Sequence, residues 1–322
     1  MPRPAQITAR KMAANQEVKD ARTVVNLVRF TCSNAACQTM PALSPDLATR
    51  LLAAVDGMPA FPKSVHKILT LTRDAACSPK DLVRVIDKDP VVTVKVLRVV
   101  NSAYYGLSGQ ITSIDQAVVF LGFNAIKNLA LSIAAVGMLP DSPMAGFDGQ
   151  RYLFHSLACA GMARQLAHRL PGADPQDCFI AGLLHDFGKV VVAQFMPVEF
   201  RRAMEQSVWQ DVSLHVALRD VVGVDHATIG AMLAHKWRFA DDLVQTIAHL
   251  HQPELFDTDM MACVFAANQV CKHMGFDLGG SLHRQALAPS VAARLGGKLQ
   301  DIMDDLGDIS FLVEEATVFS KL

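Results

Sequence analysis

The sequence predicts an all-α fold, a helical bundle in two halves. Apolar residues recur at three- and four-residue spacing almost everywhere after residue 44, and no convincing alternating strand pattern appears. The Pro, Gly and Asp enrichment from Pro140 to Gly149 favours turns over a continuing helix and separates the halves.

Taken in order, residues 1–43 form an N-terminal extension, polar at first and then mildly apolar, which reads as a flexible lead followed by one docked segment. Helices are predicted at 44–55 and 62–73. The next segment places Leu82, Val83, Val85 and Ile86 at helical spacing, with Lys80, Arg84 and Lys88 on a polar face. Ser78, Pro79 and Asp81 supply its cap, first-turn proline and acidic partner, and Pro90 ends it. Further helices follow at 91–100, 113–121 and 124–138. The second half offers 149–170, 175–186, 197–207, 211–221, 226–236, 241–251 and 259–274, and residues 276–322 make a C-terminal helical segment. The first helical half is bounded at 44–140 and the second at 149–275.

Composition limits the function classes. A chain of 322 residues that is 51% hydrophobic can bury a sizeable core. With 30 basic and 31 acidic side chains, its net charge of -1 gives no global field toward nucleic acid or an anionic membrane. The Lys80, Arg84, Lys88 face reads as solvated, so nucleic acid is disfavoured as a partner. Seven cysteines without a CxxC pair suit reduced, buried thiols in a cytoplasmic protein, with Cys32 and Cys37 as exceptions. The apolar stretch near Leu129–Leu139 falls short of the roughly 20 residues that span a bilayer, so no membrane role is expected. No Gly-rich phosphate loop, Ser-His-Asp motif or cysteine metal cluster is present.

The stretch AGLLHDFGK, Ala181–Lys189, carries the chemistry. Its adjacent His185 and Asp186 form a mixed donor set suited to iron, manganese, zinc or magnesium, provided other segments bring further ligands. His155, His226, His249 and His251 lie on or near separate predicted helices, and a bundle can point one side chain from each at a shared centre. Each of these can equally be a hydrogen-bonded helix-end residue, and for His168, His215 and His235 that bland reading is preferred. Lys189 reads either as a phosphate contact or as a basic residue past a helix C-terminus, where it complements the dipole. Asn101, Ser102 and Tyr105 read as a helix stop and turn.

The second half resembles the HD superfamily of metal-dependent phosphohydrolases, whose pattern is a first His, an adjacent His and Asp, and a later Asp. His155, His185 and Asp186 match the first three, while VFAANQVCK offers Asn268 for the last. An amide is a neutral, weaker ligand than a carboxylate, so affinity for a catalytic divalent ion should fall. A fuller resemblance, over about residues 44–275, is to the HDOD family, the HD-related output domains of bacterial signalling proteins. It rests on MPAFP (58–62), the Asp89–Pro90 pair, NSAYYG (101–106), SIDQAVVFLG (113–122), the FHS at 154–156, HDFGK, HATIGAMLAHKW (226–237) and AHLHQPE (248–254). Leu250 departs from a usual double histidine, and no GYP tripeptide follows as it does in the related HD-GYP phosphodiesterases.

The resemblance implies a non-enzymatic signal-transduction or regulatory module that binds a signalling protein partner, in some members alongside cyclic-dinucleotide pathways. It also implies a weak or vestigial metal site at His155, His185, Asp186 and Asn268, with His226 and His251 adding a second ion or phosphate contact. The competing expectation is a metal-dependent phosphohydrolase acting on a nucleotide or cyclic dinucleotide through those same residues.

Overall fold

In the computed structural model the described residues are 45–59, 63–71, 77–102, 105, 109–139, 146–276 and 283–309, with 314, 316 and 317. Their regular structure is helical, and no strand occurs among them. The N-terminal extension, Cys32, Cys37 and parts of MPAFP and NSAYYG lie outside them.

Helices α2 (Lys63–Leu71), α3 (Pro79–Asp87), α4 (Pro90–Val100), α5 (Ile114–Leu121) and α6 (Phe123–Val136) pack as one group. Its turns use the expected local chemistry. Asp81 accepts from Ser78 N at 3.1 Å and Ser78 Oγ at 2.6 Å, closing the cap of α3. Asp89 caps α4 through Val92 N at 3.2 Å and also takes Ser64 Oγ at 2.7 Å, which ties α2 to the α3–α4 corner. Asn101 clamps the Ile111 backbone through a pair of 2.7 Å bonds, which is the turn-shaping role its sequence context predicts.

Helix α6 is buried without a break from Ile126 to Ala135, with Lys127, Asn128 and Ser132 enclosed among its apolar residues. It connects the first group to the second, where it packs on α8 (Pro175–Leu184) and Asn128 donates to Gln176 at 2.6 Å.

The second group contains α7 (Gly149–Ala167), α8, α9 (Phe187–Phe195), α10 (Pro197–Trp209), α11 (Leu214–Val222), α12 (His226–Lys236), α13 (Asp241–Ala248) and α14 (Asp259–His273). Helix α14 is buried from Met261 to Cys271 and packs on α7, α8 and α13, with α15 (Pro289–Leu295) and α16 (Leu299–Leu306) against its other side. The sequence reading omits α9, because Val190–Val192 is a β-branched run that follows Gly188 and shows no helical period. Burial supplies what propensity withholds, since Phe187–Ala193 is fully enclosed. The segment Pro175–Phe195 is long and apolar enough to cross a membrane, yet 89% of its window is buried inside the fold and the chain turns at His185–Asp186.

The first described helix, α1 (Pro45–Gly57), packs on α9 and α12. Arg50 pairs with Glu199 of α10, Lys236 donates to the carbonyls of Val55 at 2.8 Å and Asp56 at 3.1 Å, and Trp237 Nε1 donates to Pro59 O at 3.3 Å.

Candidate functional site

Two glycines bring the site's helices together. A Cβ on Gly182 would lie 2.9 Å from both Ala160 Cα and Cys159 O, so α8 meets α7 at backbone distance. On Gly188 it would fall 1.9 Å from His226 O and 2.7 Å from Gly230 N, so α9 and the start of α12 touch through their main chains. These contacts set His155 and Cys159 of α7, His185 and Asp186 at the α8–α9 turn, and His226 side by side. Asp186 has φ -105° and ψ 8° and stands at the N-cap of α9, where an aspartate would ordinarily cap. It makes no capping bond, and its carboxylate turns into the core instead. Asp225 fixes the start of α12 by accepting from Thr228 N and Oγ1, both at 2.8 Å, and from Arg219 Nε at 2.9 Å.

One carboxylate organises the centre. Asp186 Oδ2 faces Lys189 Nζ at 2.6 Å, His185 Nε2 at 3.3 Å and His155 Nε2 at 3.6 Å, and Oδ1 faces His226 Nε2 at 3.1 Å. His155, His185, Asp186, Lys189 and His226 are each at most 2% exposed. The row of imidazoles continues outward, with His251 Nε2 3.2 Å from His226 Nε2 and half-buried His215 stacked on His251 at a ring separation of 3.9 Å and 9°. His185 Nδ1 lies 2.7 Å from Gly182 O and His155 Nδ1 lies 3.1 Å from Phe276 O. A carbonyl only accepts, so each Nδ1 carries a proton and in the neutral ring each Nε2 presents a lone pair inward.

Burial by itself would raise the Asp186 pKa, but the neighbouring His185 and the Lys189 ammonium outweigh it and hold the group well below the usual carboxylate range. The outer histidines move the other way. Burial, then the neighbouring His226, pushes His215 down to about 3. Burial also lowers His226 against the pull of Asp186, and lowers His251 well below the usual value with help from His215 and His226. A histidine with a depressed folded pKa takes up fewer protons than the unfolded chain once the pH drops below about 6.5. Stability is therefore fully present above that value and lost as pH falls. The expected slope is at least about 1.4 kcal/mol per pH unit, that of one histidine, and larger as the others contribute. Urea midpoints of chelator-treated protein at pH 8, 6.5 and 5 measure this; a midpoint unchanged from 8 to 5 would contradict the neutral cluster.

The structure brings His155, His185, Asp186, His226 and His251 together. Asn268 sits on α14 at 3% exposure, and its Oδ1 accepts no hydrogen bond among the described residues. Lys189 requires a correction. It lies in the first turn of α9, not past a helix C-terminus, and its ammonium is buried on Asp186, so it neither complements a dipole nor reaches out to a phosphate. His215, read as an ordinary helix residue, belongs to the cluster through its stack on His251. Cys159 was missed; its place one turn after His155 on α7 was the available signal. Leu250 is buried in the core.

A hydrolytic divalent centre needs negative ligands and a coordination position open to water. The residues here do not fit that form, because an amide stands at Asn268, Lys189 already neutralises Asp186, and the inner donors are enclosed. Softer donors do converge, since ligand atoms of His155, Cys159 and His185 all lie within 4.8 Å of one another and can hold a metal ion.

Comparison with known proteins agrees with this architecture. The family model of the HDOD domain matches residues 58–253. An HDOD domain protein of unknown function from Geobacter sulfurreducens superposes with a TM-score of 0.72 at 24% identity, covering 86% of this chain and 97% of its own. A protein from Marinobacter aquaeolei VT8, provisionally named for signal transduction, superposes at 0.71 with 21% identity, covering 88% and 68% respectively. An uncharacterized protein of Treponema pallidum (strain Nichols) is 26% identical over 236 residues, 73% of this chain. The chain spans 44% of that relative's length.

Proposed function

Because this chain belongs to the HDOD family, we propose that it acts as a non-enzymatic signal-transduction module that binds a protein partner, and that its histidine–aspartate centre serves the fold instead of hydrolysis. The observation that carries the reading is the Asp186 carboxylate, 1% exposed and committed to Lys189 at 2.6 Å and His226 at 3.1 Å. A substrate phosphate has to reach a metal or a base, and these inner groups face protein on every side.

The surface proposed for the partner is on the first group of helices. Val91 and Val94 of α4 are 66% and 65% exposed, and Val119 and Phe120 of the adjoining α5 are 83% and 63% exposed. Large apolar side chains left exposed on two helices that pack together favour a protein contact over solvent. Their polar neighbours, Lys95 and Asp115, suit the rim of such a contact. A cyclic-dinucleotide pathway is the setting that the family likeness favours.

Turnover tests the first part. Protein purified without chelator, with added manganese, is expected to leave bis-p-nitrophenyl phosphate and cyclic dinucleotides intact; hydrolysis that disappears in His185→Ala would make the chain a phosphohydrolase and sink the proposal. The second part is tested by affinity capture from the source organism. Phe120→Asp together with Val94→Asp should abolish recovery of a partner that the wild type retains at least 10-fold above background, with unchanged circular dichroism. Equal recovery by wild type and variant would remove this face from the interaction.

A further inference from the structure

We propose that a cavity at the C-terminal end of α14, walled by residues 284–287 and the α15–α16 turn, binds an organic phosphate the size of a mononucleotide. This goes beyond the regulatory reading and does not depend on it. No residue of the histidine–aspartate centre lines the cavity, and its lining falls outside residues 58–253 that the family model matches.

Local bonds build the walls. Gln269, 2% exposed on α14, accepts from Gln285 N at 2.8 Å through its Oε1, which lays the 284–287 segment beside that helix. Gly296 ends α15 in the left-handed conformation at φ 80°, and Gly297 N returns to Ala292 O at 3.0 Å, so the chain turns there and α16 starts at Leu299. The cavity between these walls has a volume of about 550 Å³. Pockets that take small molecules measure roughly 300–1,000 Å³.

Charge selects the class of ligand. His273, Arg284 and Lys298 line the cavity, and no acidic residue does. In a chain with 30 basic and 31 acidic side chains, three basic residues around one cavity are a local excess. Among the described residues no carboxylate pairs with Arg284 or Lys298, whereas Arg294 of the adjoining α15 is held by both Asp257 and Asp259. Asp301 is absent from the lining and caps α16 by accepting from Lys298 N at 2.8 Å. A guanidinium binds phosphate through paired hydrogen bonds and an ammonium binds it as a point charge, so the two suit one phosphoryl group together.

The rest of the lining asks for more than a bare ion. Leu287 and Leu299 are part of it, and both are anchored by packing against the core. Gln285 and Gln300 add amides that donate and accept. Inorganic phosphate would use the cations and leave the leucines against water. A molecule with a flat, partly apolar body and one or two phosphoryl groups uses both.

Calorimetric titration of full-length, chelator-treated protein with ADP, adenosine and pyrophosphate tests this. ADP is expected to bind once per chain, at least about 10-fold more tightly than either fragment. Arg284→Gln with Lys298→Gln should weaken ADP binding at least about 10-fold, and Ala286→Trp, which fills the cavity, should do the same. Lys80→Gln with Arg84→Gln on α3 is the control and should keep the wild-type affinity. All five positions are exposed, so the variants are expected to keep the wild-type circular dichroism. No binding of ADP, ADP no tighter than pyrophosphate, wild-type affinity in the lining variants, or an equal loss in the control would each overturn the proposal. Neither turnover nor partner capture is read, so the outcome is separable from that of the regulatory reading.

Discussion

Gly188→Ala is expected to cost about 3 kcal/mol or more of folding stability, at the upper end for adding one methyl group to a packed interior. The new Cβ would stand 1.9 Å from the His226 carbonyl oxygen and 2.7 Å from Gly230 N, and both obstacles are backbone. No rotamer change relieves that overlap, so α9 and α12 must separate, and Asp186 then withdraws from His226. The loss should appear in urea unfolding and as a weakened near-ultraviolet circular dichroism signal. Gly149→Ala is the control: a Cβ there meets nothing within 4 Å, so a helix-start substitution should move the midpoint little. Equal effects from the two variants would show that α9 and α12 do not meet as described.

Lys189→Ala in chelator-treated protein is expected to destabilise by about 3–5 kcal/mol, the usual consequence of removing one member of a buried ion pair. The variant strands the Asp186 carboxylate at 1% exposure among imidazole lone pairs. The double variant Asp186→Asn with Lys189→Met removes both charges and keeps the volume, so it should recover most of that loss. If Lys189→Ala unfolds at the wild-type urea midpoint, the ion pair is not what holds the centre neutral.

Much of this architecture was legible in the sequence because its causes are local. Ser78–Pro79–Asp81 announces a helix start and Pro90 the end of that helix within a few residues, and the structure has both. The pairing of His155 with His185 and Asp186 was legible only through family likeness, since spacing alone cannot say that α7 and α8 meet. The features that escaped notice are tertiary. Helix α9 exists because Val190–Val192 are enclosed, against their own propensity. Lys189 has the composition of a surface residue, and only the turn at Asp186 carries it inward. His215 joins the cluster through its stack on His251, which neither motif nor period marks, while Cys159 carries only its four-residue spacing from His155 as a signal.

The strap formed by α1 bears on the centre. Lys236, Trp237 and Arg50 fasten that helix across α9, α10 and α12 while the chain runs on from it into the first helical group. The first described helix thus spans both partners of the crossing that sets Asp186 beside His226, so its packing and the geometry of the centre share the same two helices.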